Sequence, residues 1–101
     1  MPAYWISRAK INDPVEYKKY TDRVPAILKE HGGKVLARGG PFQVMEGTDR
    51  FHRFIVIEFP SFEHAVKCHR SREYQDASAF RRAPGVSEVE QVIVESGEFT
   101  R

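Results

Sequence analysis

The stretch Phe51-His52-Arg53-Phe54-Ile55-Val56-Ile57-Glu58-Phe59 limits the possible folds more than any other part of the chain. Side chains alternate across a strand, so Phe51, Ile55, Ile57 and Phe59 share one face while Phe54 and Val56 share the other. Both faces are apolar. Such a strand belongs in the middle of a sheet that is covered twice.

The flanking segments say what can cover it. Tyr4 to Ala9 mixes aromatic and branched residues with polar ones and reads as a strand. Asp13 then offers an N-cap, Pro14 fits a first helical turn, and Glu16 stands where a capping box places it. Tyr17, Tyr20, Val24, Ile27, Leu28 and His31 recur on one helical face, and Gly32-Gly33 ends it. Pro25 falls inside this run and predicts a kink or break near Thr21. Lys34 to Arg38 resumes strand alternation, Gly39-Gly40-Pro41 predicts a bulge or bend, and Phe42 to Met45 reads as its continuation. Ser61 caps a second helical region with Phe62, Ala65, Val66 and His69 inward, and Ser71 caps another that runs to Pro84-Gly85. Glu88 to Glu95 makes the last strand.

The order is strand-helix-strand twice, which is the split β-α-β arrangement of a ferredoxin-like α+β sandwich. Right-handed crossovers put the first and third strands in the centre of a four-stranded antiparallel sheet, with the helices on one face. The other face lacks a cover. An identical sheet supplies one, so a homodimer through the sheet face is expected.

The 101 residues fit a single domain over 1–101, with no room for a second core. The longest apolar run, Phe54 to Ile57, is far too short for a membrane span, and the first residues lack the pattern of a signal peptide. A lone cysteine, Cys68, forms no internal disulfide, and a cytoplasmic address is expected. A formal charge of +2 argues for neither nucleic acid nor membrane as a partner. An RNA-recognition module shares the element order, but Arg53 and Val56 stand where its signature needs a glycine and a stacking aromatic. A Pro2-based tautomerase would bury the proline end beside arginines, and nothing else in the chain follows that pattern.

No cofactor or metal is expected. His64 and His69 do not share a helix face, and no phosphate loop, dinucleotide fingerprint or nucleophile elbow occurs. Cys68 and His69 point about 100° apart on a helix, so Cys68 reads as an idle thiol. The polar residues on apolar elements are more informative. Arg53 shares a face with Ile55, Ile57 and Phe59, and a charge there needs a carboxylate such as Glu46 or Glu58, or a ligand. In the ligand reading, Arg38 and Arg53 present forked donors to a carboxylate or enolate oxygen. Tyr74 and His69 are then the candidate proton-handling groups, with Arg81 closing the site.

His31-Gly32-Gly33-Lys34-Val35-Leu36-Ala37-Arg38-Gly39-Gly40, Met45-Glu46-Gly47, Arg53 to Ser61, and Ser71-Arg72-Glu73-Tyr74-Gln75 occur in this order. Together they resemble the family known as domain of unknown function 1330, of the dimeric α+β barrel superfamily. The positions that match are Arg38 with Gly39-Gly40, Glu46-Gly47, Arg53, Glu58-Phe59, Ser71, Tyr74 and Arg81. Two departures stand out: Cys68-His69 where the family often has a tryptophan, and Arg72 where a proline commonly follows the serine. Both predict a recut and more basic pocket. The resemblance implies the same fold and sheet-to-sheet dimer but no reaction. The wider superfamily includes cofactor-free monooxygenases, lactone isomerases, polyketide cyclases and haem enzymes, and neither His64 nor His69 has a recognisable haem-ligand setting. The expectation is a small-molecule-binding homodimer acting without cofactor on an anionic or carbonyl compound. The alternative is a ligand-binding or accessory dimer that catalyses nothing.

Overall fold

The computed structural model describes residues 1–97, so the end of the domain expected over 1–101 lies outside the described residues. The elements are β1 (Ala3–Ile11), α1 (Pro14–Thr21), α2 (Val24–Glu30), β2 (Lys34–Arg38), β3 (Arg53–Phe59), α3 (Phe62–Arg70), α4 (Arg72–Arg82) and β4 (Ser87–Glu95). They form one four-stranded antiparallel sheet in the order β2-β3-β1-β4. The first and third strands are central, and the arrangement is the ferredoxin-like sandwich that the element order predicts.

Local chemistry explains the helix ends. The Asp13 carboxylate accepts from the Glu16 amide at 3.1 Å and Pro14 opens α1. The capping box is only half made: the Asp13 amide donates to the Val86 carbonyl, and Glu16 pairs with Lys19. Pro25 cannot donate to the Thr21 carbonyl and would clash with it, so the helix stops at Thr21 and restarts at Val24 with Pro25 in the new first turn. Gly32, at φ +80°, turns the chain out of α2, and Gly33 lies against Phe59, where an added Cβ would come within 3.0 Å of the ring. Ser71 ends α3 and caps α4, accepting from the Tyr74 amide at 3.2 Å.

The sheet has two different sides. Trp5, Ile57, Phe59, Leu28, Ala65, Tyr74 and their neighbours form a closed core between sheet and helices. Ile6, Val92 and Val94 lie on the opposite side with Phe54 and Val56, and Val92 is 56% exposed.

Three expectations are corrected. Phe42 to Met45 is not strand: Gly39 leaves β2 at φ +69°, Pro41 has no amide to donate, and the segment runs exposed with Phe42 against the Phe54 ring at 4.9 Å. The bulge falls earlier than Gly39-Gly40, at Leu36, between the pairs Val35↔Ile57 and Ala37↔Val56. Phe51 precedes β3 and stays out of the main core, buried beneath the guanidinium groups of Arg8 and Arg50 at 4.3 and 4.8 Å.

Candidate functional site

The register of the sheet places a polar row on its helix-facing side. Gln91 pairs with Ser7, Ser7 with Ile55, and Ile55 with Arg38, so these four residues run across all four strands. Arg53 sits one row over, opposite Ala9. Above them α1 and α2 leave a cavity of about 40 Å³, enough for a few waters. Its walls are apolar, chiefly Trp5, Val24, Leu28, Val35, Ile55 and Ile57. Its polar lining comes from Arg38, Arg53, Tyr20, Thr21, Ser7 and Gln91.

Behind this lining lies a connected polar cluster. The Tyr20 and Tyr74 hydroxyl oxygens are 2.8 Å apart. Arg81 Nη2 donates to Tyr74 Oη at 3.0 Å and to Gln91 Oε1 at 3.4 Å. Gln91 Nε2 donates to Tyr74 Oη at 3.2 Å and to Ser7 Oγ at 3.4 Å. His69 Nε2 meets Gln91 Oε1 at 3.2 Å. The Trp5 ring braces the cluster, 4.9 Å from Tyr74 and 5.2 Å from His69 between ring centres.

The cluster is positive and has no counter-charge among the described residues. Arg81 is 8% exposed and lies over the Tyr20 ring at 5.1 Å. The Nε groups of both Arg53 and Arg81 are buried without a hydrogen-bond partner. Among the described residues the acidic partners belong to Arg8, Lys10, Lys18, Lys19, Arg50 and Arg72, all at the surface. The expected bridge from Arg53 to Glu46 or Glu58 is therefore not made, and Glu58 faces the other side of the sheet. Burial and the neighbouring Tyr74 raise the Tyr20 hydroxyl, so it stays protonated. Burial also raises Tyr17, against the pull of Arg53 and Arg81. Burial disfavours the Arg81 cation, but Tyr74 and Tyr20 beside it outweigh that. His69 is lowered, first by burial. Burial pushes the Cys68 thiol up to about 12.

The structure thus brings Tyr74, His69 and Arg81 together but sets them behind the cavity rather than in its wall. Arg38 and Arg53 do line it. Arg72 plays no part there, because its side chain is 91% exposed and pairs with Asp76; it occupies the first helical position, where a proline also fits. Of the two departures, only His69 reaches the site. Tyr20, Ser7 and Gln91 are site residues that sequence reasoning missed. The available signal was a polar residue in phase with apolar ones: Ser7 between Trp5 and Ala9, and Gln91 between Val89 and Ile93. Among the described residues, no group of three or more His, Cys, Asp or Glu is placed to hold a metal ion. None of the described helices is long and apolar enough to cross a membrane.

Fold and site together define a ferredoxin-like α+β protein with a basic, tyrosine-backed cavity between its sheet and helices. The chain belongs to the family described as Domain of unknown function (DUF1330), whose model matches residues 2–96. A search of curated proteins finds no match. Among solved structures, a Rhodopseudomonas palustris protein of unknown function superimposes with a TM-score of 0.74 at 19% identity, over 92% of this chain and 80% of that one. SnoaB, a cofactor-independent oxygenase from Streptomyces nogalater, gives 0.63 at 12% identity, over 96% and 94%. A dimeric protein of unknown function with a ferredoxin-like fold from Bacteroides fragilis gives 0.61 at 13% identity, over 93% and 95%. These likenesses establish the fold alone.

Proposed function

We propose that this chain is the single-domain protomer of a homodimer that binds a small anionic or carbonyl-bearing organic molecule between sheet and helices. One observation carries the reading: Arg53 lines the cavity with its Nε unpartnered and with no carboxylate beside it among the described residues. A buried donor left unpaired costs about 1–3 kcal/mol, which an oxygen of the ligand would recover. Arg38 in the same wall supplies a second cation, and the apolar remainder suits a hydrocarbon body.

Such a site favours chemistry that builds negative charge on oxygen. When a C–H beside a carbonyl gives its proton to a base from solvent, the electrons move onto that oxygen, and Arg38 and Arg53 would hold the enolate. Tyr74, the candidate proton-handling group, stands one hydroxyl back from the cavity behind Tyr20, while His69 and Arg81 hold Gln91 and Tyr74 in place. Returning the proton to a different carbon isomerises the compound with no change of oxidation state and no cofactor. The second reading, a binding or accessory dimer that catalyses nothing, shares the pocket; turnover on a substrate panel separates the two.

The dimer reading is supported by the apolar open face of Ile6, Phe54, Val56, Val92 and Val94. The exposed Phe42, Val44 and Met45 beside Phe54 extend that surface, and the Bacteroides fragilis neighbour is itself dimeric.

Thermal melts with small carboxylates and keto acids test the ligand. At a hundredfold excess over the dissociation constant a ligand adds about 2.7 kcal/mol of stability, so the wild-type melting point should rise. Arg53→Met and Arg38→Met should lose that rise. An Arg53→Met variant that keeps it would remove Arg53 from the site.

A further inference from the structure

The hydrogen bonds around Tyr74 have only one consistent direction. A guanidinium can only donate, so the Arg81 contacts make both Tyr74 Oη and Gln91 Oε1 acceptors. That fixes the Gln91 amide: turned over, its NH₂ would face the Arg81 N–H. With Oε1 accepting, His69 Nε2 must carry the proton it shares with Gln91, and Gln91 Nε2 donates to Tyr74 Oη. Tyr74 Oη then receives two N–H donors, and its own proton has one place left to go: Tyr20 Oη, 2.8 Å away. Tyr20 becomes an acceptor from Tyr74. Its own O–H is left over, on a side chain that lines the cavity.

We infer that Tyr20 is the ligand-facing hydrogen-bond donor of this cavity, its proton turned there by Arg81 and Gln91 acting through Tyr74. Resting on the binding site proposed above, this adds a residue and a polarity to it: the ligand presents an acceptor oxygen, a carbonyl or enolate, to Tyr20. Arg81, Gln91 and Tyr74 are positioning residues. A cation at the head of a chain of aligned O–H groups polarises each one, so Tyr20 is a stronger donor than an isolated phenol.

Tyrosines labelled with ¹³C at Cζ report the proton order without any ligand. In mixed H₂O and D₂O a slowly exchanging hydroxyl gives two Cζ lines and a rapidly exchanging one gives an averaged line. Tyr→Phe variants assign the four tyrosines. Tyr74 should be split and Tyr20 averaged, and Arg81→Met should collapse the Tyr74 splitting, which a purely structural arginine would leave alone. An averaged Tyr74 or a split Tyr20 in the free protein overturns the inference. In the second arm, 4-oxopentanoate, which carries a carboxylate and a ketone, should bind the wild type, and Tyr20→Phe should weaken it about tenfold. Unchanged affinity overturns the role of Tyr20. If 4-oxopentanoate does not bind the wild type, the small-anion reading of the site fails, and the isotope pattern still upholds or overturns the proton order.

Discussion

The hydroxyls of Tyr20 and Tyr74 meet at 2.8 Å although the residues are 54 positions apart, and a guanidinium with no acidic partner among the described residues holds one of them. This contact ties α1 to α4 over the cavity. Its polarity follows from which of its neighbours can only donate.

Arg53 and Arg81 should respond differently to removal. Arg53 makes no bond to a carboxylate, so Arg53→Met should stay within about 1 kcal/mol of wild type or exceed it, as often happens when a binding residue is removed. Arg81 satisfies Tyr74 and Gln91, and Arg81→Met should cost about 2 kcal/mol, the scale of a hydrogen bond from a charged group. Urea denaturation of both variants checks the contrast; a large loss with Arg53→Met would mean that its charge is structural.

The two sides of the sheet make a second contrast. Ile57 is 3% exposed in the core, and Ile57→Asp buries an unpaired carboxylate at several kcal/mol, comparable with the stability of a small domain. That variant should not fold. Val92→Glu changes only the open face, so the protein should keep its circular dichroism and its melting transition but lose its partner. Light scattering at micromolar concentration should give about twice the chain mass for wild type and the single chain mass for Val92→Glu. A monomeric wild type would sink the dimer.

His69 should make stability depend on pH. Its folded-state value lies below the ordinary 6.5 because it is buried, with Arg81, Arg70 and Arg82 opposing its charge and Gln91 partly favouring it. Between that lowered value and 6.5 the unfolded chain binds a proton that the folded chain does not. Stability therefore falls as pH drops through this window, and the contribution is flat above it. Urea midpoints from about pH 5 to about pH 8 should slope less for His69→Gln than for wild type. Equal slopes would place His69 in a wetter setting than the structure gives it.

Cys68 should be inert while the protein is folded. Burial holds its thiol near 12, and the side chain is fully covered. At pH 8 an aromatic disulfide reagent should label it only as fast as the chain opens, and at once in denaturant. Rapid labelling of the native protein would contradict that burial.

Much of the fold was legible because local chemistry specified it. The doubly apolar β3, the caps at Asp13, Ser61 and Ser71, and the conflict between Pro25 and a continuous helix each fix a boundary. Phe42 to Met45 was misread because alternation is necessary for a strand but needs a neighbour to pair with, and none is offered there. Arg38, Arg53, Tyr74, His69 and Arg81 stood out as charge or hydrogen-bonding capacity on apolar elements; Arg38 and Arg53 line the cavity, and the other three lie behind it. Tyr20 and Gln91 did not stand out. A tyrosine at core spacing looks like core, and the value of Gln91 comes from its cross-strand partner Ser7, a relation that exists only once the register is set.

The bulge at Leu36 has an evolutionary consequence. Because the bulge absorbs Leu36, Arg38 stands opposite Ile55 and reaches the cavity; in an unbulged ladder of the same length it would fall opposite Phe54 and turn to the far side of the sheet. β2 is an edge strand, where losing one residue disturbs one ladder instead of two. Deleting Leu36 would straighten the ladder, keep Arg38 opposite Ile55 and leave the core intact. The cation of this cavity wall thus survives the loss of a residue from the edge strand, and substitution of Arg38 itself is the direct route to a neutral wall.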